Sequence, residues 1–262
     1  MNNKNILELN DLGYTIIKNV INETWINNLR DVLDEEFIKH RKIQIESNTQ
    51  IQARGVAHHI LLTNPIFVEL VDYLQYNGFF TFLQNNFFKS KCIIHSMSAL
   101  NNLPNQTNYY PSSVHRDLRF YTGNIPIMVN CLLMIDDFTI ENGSTYLLPY
   151  SHLNERKVTE DEFFKNAIQA IGKKGDILIF NSNVWHAAAP NKTNEDRRAI
   201  PIVVSKSTIK QLLDYPRAIG YEKINNFNDD LQQLLGYHSR VASSLDEWYQ
   251  PNEKRLYKKE QD

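Results

Sequence analysis

The sequence predicts a mainly β domain, a small barrel or jelly roll with helices packed outside one sheet. Three observations predict it. Short apolar runs separated by turn residues recur from about Cys92 to Val204, in the manner of strands. The chain before Phe88 shows helical spacing instead. The last two strand-like runs carry His186 and Arg197, and side chains lining a barrel mouth are suited to hold a small ligand. The 262 residues are 42% hydrophobic and 22% charged, which suits one soluble domain with a substantial core. We expect a single domain over 1–262, with its β core at about 90–206. A helical N-terminal part spans about 1–89, and an extension spans about 207–262.

Gly13 to Val20 reads as a short strand, and Asn22 as the N-cap of the next helix,. There Trp25, Leu29, Val32, Leu33 and Phe37 recur at helical spacing as far as about Arg41,. Lys42 to Gly55 is polar and reads as a mobile loop. A second helical pattern (Phe67, Leu70, Val71, Leu74) starts at Pro65, which suits a first turn, and is interrupted near Gly78,. Cys92–Leu100 and Ile127–Ile135 read as strands, the second apolar on both faces apart from Asn130. A buried amide needs partners, so Asn130 is either a structural hydrogen bonder or a ligand contact. Thr145–Pro149 and Gly175–Phe180 are further strands, with Thr159–Ile171 partly helical between them. Beyond Val204 helical and irregular segments alternate, with Trp248 and several tyrosines as expected anchors.

The chemistry concentrates in Ser113–Phe120. If this segment is a strand, His115 and Asp117 share one face and Arg116 points away,. Alone the pair is weak, because an ordinary hydrogen-bonded pair has the same spacing. It gains weight from His186, a third donor that follows the strand after Gly175, and from Arg197 eleven residues later. Two imidazoles and one carboxylate with open positions suit a non-haem Fe(II) oxygenase site. Asp136 and Asp137 also look like ligands, but read better as the start of a turn through Asn142-Gly143. The adjacent His58 and His59 would face opposite sides of a strand, so at most one of them lines a pocket,.

Composition narrows the classes. A formal charge of −2 offers no field for a nucleic acid,. No apolar run approaches the ~20 residues needed to span a bilayer, and the polar first ten residues lack a secretory core,. Cys92 and Cys131 read as small buried hydrophobes,. We therefore expect a cytoplasmic protein, monomer or homodimer, that takes a small-molecule substrate.

Taken together, several motifs make the chain resemble the phytanoyl-CoA dioxygenase family of Fe(II)/2-oxoglutarate-dependent oxygenases. They are His115-Arg116-Asp117-Leu118, the run Asp136 to Thr145 through Glu141-Asn142-Gly143, and Leu148-Pro149-Tyr150-Ser151-His152. Gly175-Asp176, His186 and the stretch from Asn191-Lys192-Thr193 to Arg197-Arg198-Ala199-Ile200 complete them. The similarity extends from Gly13-Tyr14 to Leu245–Tyr249. Each motif is weak by itself, but their order and spacing are specific.

The resemblance implies a double-stranded β-helix, the jelly-roll or cupin-like core. It makes His115, Asp117 and His186 the Fe(II) ligands, with 2-oxoglutarate and O2 as cosubstrates. Arg197 becomes the partner of the distal 2-oxoglutarate carboxylate, a role suited to a forked, permanently charged guanidinium. Met97 and Leu132 match positions near the cosubstrate, and Asn130 would share the face of Leu132. The implied reaction couples oxidative decarboxylation, giving succinate and CO2, to oxidation of an unactivated C–H bond. Related halogenases lack the carboxylate, so Asp117 points to hydroxylation, or to desaturation or cyclisation. Tyr150 stands where the family often has glycine, and His152 reads as a structural part of that turn. His58, Tyr110 and Phe120 are candidate substrate contacts, and Arg116 and Arg119 are expected near the mouth. Two other readings stay open: a zinc hydrolase using the same three donors, and a non-enzymatic ligand-binding barrel.

Overall fold

In the computed structural model the structure describes residues 1–50, 54–105, 110–259 and 261, except for the side chain of Tyr110. In chain order the elements are α1 (Asn3–Asp11), β1 (Tyr14–Ile17), α2 (Glu23–Glu46), β2 (Val56–Ala57), α3 (Pro65–Tyr76), α4 (Phe79–Leu83), β3 (Cys92–Met97), β4 (Ala99–Asn102) and β5 (Met128–Met134). Then come β6 (Thr145–Leu147), α5 (Glu160–Asn166), β7 (Ile168–Gln169), β8 (Ile177–Asn181), β9 (His186–Ala188), β10 (Arg197–Lys206), α6 (Tyr215–Ile219), α7 (Asp229–Leu235) and α8 (Leu245–Trp248). The chain divides into two compact units, Met1–Ile60 with Met97–Ile202, and Leu61–Ser96 with Val203–Asp262. Antiparallel sheets with flanking helices bear out the expected fold class.

The first unit holds the site. Its larger sheet runs β1-β8-β5-β10-β4-β2, and the smaller runs β7-β6-β9. Strand β5 is buried at every residue and pairs with β8 in a register that sets Asn130 opposite Phe180 and Leu132 opposite Leu178. Leu132, Met134, Phe138, Leu147, Leu178 and Phe180 form one core cluster. Two such buried faces explain why β5 reads as a continuous apolar run rather than an alternating one.

The Gly175-Asp176 motif has a structural task. Asp176, 1% exposed, accepts from the backbone N–H groups of Asn19 and Lys173 and from Lys18 Nζ, each at 2.9 Å. The carboxylate thus ties the end of β1 to the turn that launches β8. Asp136 and Asp137 likewise serve the framework. Asp136 meets Arg30 and Arg198, and Asp137 meets Lys173 and the backbone N–H of Lys174.

Helix α2 starts as expected, with Asn22 capping the Trp25 N–H. It then runs past Arg41 to Glu46, where a loop was expected. No breaker interrupts Lys42–Glu46, and Gln44 is buried with its amide on the Val56 carbonyl. Of the rest of that expected loop, residues 51–53 lie outside the described residues.

In the second unit, α3 begins at Pro65 under an Asn64 cap, and Gly78 at φ 76° separates it from α4. Strand β3 pairs with β10. Tyr215 and Tyr237 are the buried anchors, whereas Trp248 and Tyr249 are exposed, against expectation. The short α8 buries no residue of its own, which leaves those rings in solvent. Cys92 and Cys131 are free and buried, as expected. Among the described residues no helix is long and apolar enough to cross a membrane.

Candidate metal centre

The segment around His115 is not a regular strand. It makes one antiparallel bridge, in which the backbones of His115 and His186 exchange hydrogen bonds of 3.0 and 2.9 Å. Past Asp117 it bends, because the Leu118 N–H already reaches the Ser182 carbonyl in the turn between β8 and β9. Asn183, 1% exposed, holds the bend: its Oδ1 accepts from the Thr122 N–H and hydroxyl, and its amide donates to the Phe120 carbonyl. His115 and Asp117 therefore converge through a bridge and a pinned loop, not through strand alternation.

The three donors meet. His115, Asp117 and His186 each offer one ligand atom, and these atoms lie within 4.8 Å of one another. Asp117 Oδ1 is 3.6 Å from His186 Nε2 and 3.9 Å from His115 Nε2. Two ligands at ~2.1 Å from a shared ion can span such separations. The remaining ring nitrogens are tethered: His115 Nδ1 to the Ser113 carbonyl at 2.7 Å, and His186 Nδ1 to the Val184 carbonyl at 3.0 Å. A carbonyl only accepts, so Nδ1 carries the proton and Nε2 keeps its lone pair for a metal. Burial, and then the neighbouring His186, push the His115 imidazole down to about 4. It is neutral at physiological pH, as a ligand must be. The donor set and its tautomers fit a divalent first-row metal.

Arg197 opens β10 and is 1% exposed. Its guanidinium lies 4.3 Å from the centre of the Phe138 ring, and Nη2 donates to the Gly143 carbonyl at 3.1 Å. Gly143 has φ +81°, and a Cβ there would sit 2.4 Å from both the Ala189 carbonyl and the Asn102 amide. Only glycine lets these backbones cross, which accounts for the Asn142-Gly143 motif. Arg198 turns the other way and pairs with Asp34 and Asp136, as alternation along β10 requires.

Asn130 donates from Nδ2 to Asp117 Oδ2 at 3.2 Å. Met97 and Leu132 are buried. His58 lies exposed in the turn after β2, with its carbonyl bonded to the His40 ring. Phe120 is exposed as well. The side chain of Tyr110 lies outside the described residues. His152 is a structural part of its turn, with Nε2 on the Asn10 carbonyl at 3.0 Å. Tyr150 adopts a left-handed conformation, φ 65°. That explains why glycine suits the position, and here a tyrosine tolerates it.

Sequence reasoning missed Arg116. Expected near the mouth, it is 7% exposed. It donates to the Ser151 carbonyl at 2.7 Å and to the Asn154 carbonyl, and it lies 4.7 Å from the centre of the Trp185 ring. A buried guanidinium thus clamps the loop between two candidate ligands to the turn after β6 and to the neighbour of His186. No local pattern marks it, because its partners are backbone carbonyls from 35 and 38 residues away in sequence. Arg119 is exposed.

Comparison with known proteins bears directly on this geometry. A family model described as Phytanoyl-CoA dioxygenase (PhyH) matches residues 9–199. An uncharacterized protein of Mycobacterium tuberculosis is 30% identical over 97% of this chain and 93% of its own length. The dioxygenase sphC of Aspergillus fumigatus is 30% identical over 52% of this chain and 39% of its own. Among solved structures, the non-heme alpha-ketoglutarate-dependent carbocyclase SnoK from nogalamycin biosynthesis superposes with a TM-score of 0.60 at 18% identity. That match covers 78% of this chain and 84% of SnoK.

Proposed function

The chain belongs to the phytanoyl-CoA dioxygenase family, and from that premise we propose that it is an Fe(II)- and 2-oxoglutarate-dependent dioxygenase that oxidises an unactivated C–H bond of a small-molecule metabolite. Dioxygenase chemistry follows from the family. The observation that carries the finer reading is the convergence of His115, Asp117 and His186 with both histidine Nδ1 atoms tethered to carbonyls.

Each residue then has a physical task. The tethers orient the two Nε2 lone pairs toward one point, and Asp117 adds the negative charge that favours a dication over a proton there. Arg197, held against Phe138 inside the domain, offers its charge to the distal carboxylate of 2-oxoglutarate, where low solvent access strengthens the pairing,. When bound, Fe(II) with 2-oxoglutarate and O2 supplies the oxidising power, and succinate and CO2 leave as co-products. Asp117 occupies the position a halide would need, so the outcome is hydroxylation, or desaturation or cyclisation, rather than halogenation.

The substrate in this proposal is a small metabolite, of the kind met in natural-product biosynthesis. The dioxygenase-named fungal relatives and the carbocyclase title of SnoK support that choice. The burial of Arg116 removes one of the two cations expected to meet a CoA phosphate. The proposal includes a cytoplasmic setting, supported by two unpaired buried cysteines, and a monomer or homodimer.

The test is anaerobic titration of the apoprotein with Fe(II) and 2-oxoglutarate, followed by visible absorption. A weak charge-transfer band should need both components and vanish in His115→Ala and Arg197→Ala. Tight zinc binding with no such band would move the assignment to a hydrolase. Absence of metal binding would leave a ligand-binding barrel.

A further inference from the structure

We propose that Asn130 is a positioning residue that keeps Asp117 a one-oxygen ligand, an inference that rests on the metal reading above. Asp117 presents Oδ1 toward both histidine Nε2 atoms, at 3.6 and 3.9 Å. Its other oxygen, Oδ2, accepts from Asn130 Nδ2 at 3.2 Å. The orientation of the amide is settled by chemistry, because only its NH2 end can donate to a carboxylate. With Oδ2 engaged, the carboxylate plane is held and its second oxygen is kept off the ion. Without that bond Asp117 is free to rotate and chelate through both oxygens, taking a position the cosubstrate needs. The residue resemblance places near 2-oxoglutarate thus has its nitrogen committed to a protein ligand.

The site of Asn130 argues for function over packing. It is 8% exposed in a strand whose other residues, Met128, Val129 and Cys131–Met134, are apolar and buried. Asn130 Oδ1 is buried and has no hydrogen-bond partner among the described residues. A half-satisfied buried amide costs stability relative to an apolar residue of the same shape. β5 therefore carries a residue that its own packing disfavours, and the compensating contact is with Asp117. The strand supplies rigidity as well, since Asn130 stands in register with Phe180 of β8.

The two roles separate experimentally. Co(II) is titrated into apoprotein under argon and followed by its d–d absorption, with thermal unfolding of each apoprotein measured alongside. Asn130→Leu is expected to match or exceed wild-type thermal stability while weakening Co(II) by about 10–100-fold, as loss of an outer partner of a ligand does. Asn130→Ala, a smaller change, is run in parallel in case the leucine does not fit. In an Asp117→Ala background either change should leave the residual His-only Co(II) affinity unaltered. Wild-type Co(II) affinity in both Asn130 variants would overturn the proposal, as would a loss that persists without Asp117. If wild-type apoprotein itself binds no Co(II), the metal reading fails and this inference falls with it.

Discussion

Replacing Arg116 by methionine removes the guanidinium and keeps most of the stem. Two carbonyl acceptors, on Ser151 and Asn154, lose charged donors, and such bonds contribute ~1.5–3 kcal/mol each. Contact with the Trp185 ring at 4.7 Å adds ~0.5–2 kcal/mol. Against this, the variant no longer buries a cation, and that saving offsets part of the loss. The balance is a destabilisation of about 3 kcal/mol, or roughly 6–12 °C in Tm for a chain of this size. Because Arg116 lies between His115 and Asp117, Co(II) affinity should fall as well, by about 10-fold or more. Arg116→Lys keeps the charge but reaches fewer acceptors, and should fall between the two. Thermal and urea unfolding of the apoproteins, with Co(II) titration of each, measure all three. A methionine variant that melts within about 2 °C of wild type and binds Co(II) equally well would refute the clamp.

Gly143→Ala forces a Cβ against the Ala189 carbonyl and the Asn102 amide at φ +81°. It should cost about 2–5 kcal/mol in urea unfolding, and it should weaken 2-oxoglutarate by shifting the carbonyl that Arg197 holds. A midpoint equal to wild type would show that the crossing tolerates a side chain. Arg197→Lys keeps the charge and loses the fork, so isothermal titration should find 2-oxoglutarate about 10–100-fold weaker with Co(II) affinity retained. Unchanged 2-oxoglutarate affinity would place that carboxylate elsewhere. Burial lowers the imidazole pKa of His152, and burial with His186 takes His115 to about 4. In the unfolded chain both titrate near about 6.5, so the unfolded state binds protons first as pH falls. The stability these groups contribute is therefore present above about pH 6.5 and is lost as pH falls toward the folded values. Apoprotein Tm should decline across that window, and His152→Gln should decline less steeply. Equal slopes would remove His152 from the account.

By itself the sequence determined the chemistry and the order of its parts. His115, Asp117, His186 and Arg197 were legible because residue type and spacing carry that information. So were the Asn22 cap, the Pro65 helix start and the buried β5, since each is a local property of a few neighbouring residues. Alternation along β10 was local too, and it separated Arg197 from Arg198 correctly. Other features arise between segments distant in the chain. The donors meet because His115 bridges to His186 and because Arg116, Ser182 and Asn183 pin the loop, whereas a strand was expected there. The clamp of Arg116, the crossing at Gly143 and the bond from Asn130 to Asp117 all depend on backbone or side-chain partners from elsewhere in the fold. The reach of α2 to Glu46 depends on the Val56 carbonyl that Gln44 meets. Local propensity has no access to such partners. A buried polar group takes the position where its hydrogen bonds are met, and only the tertiary structure decides where that is.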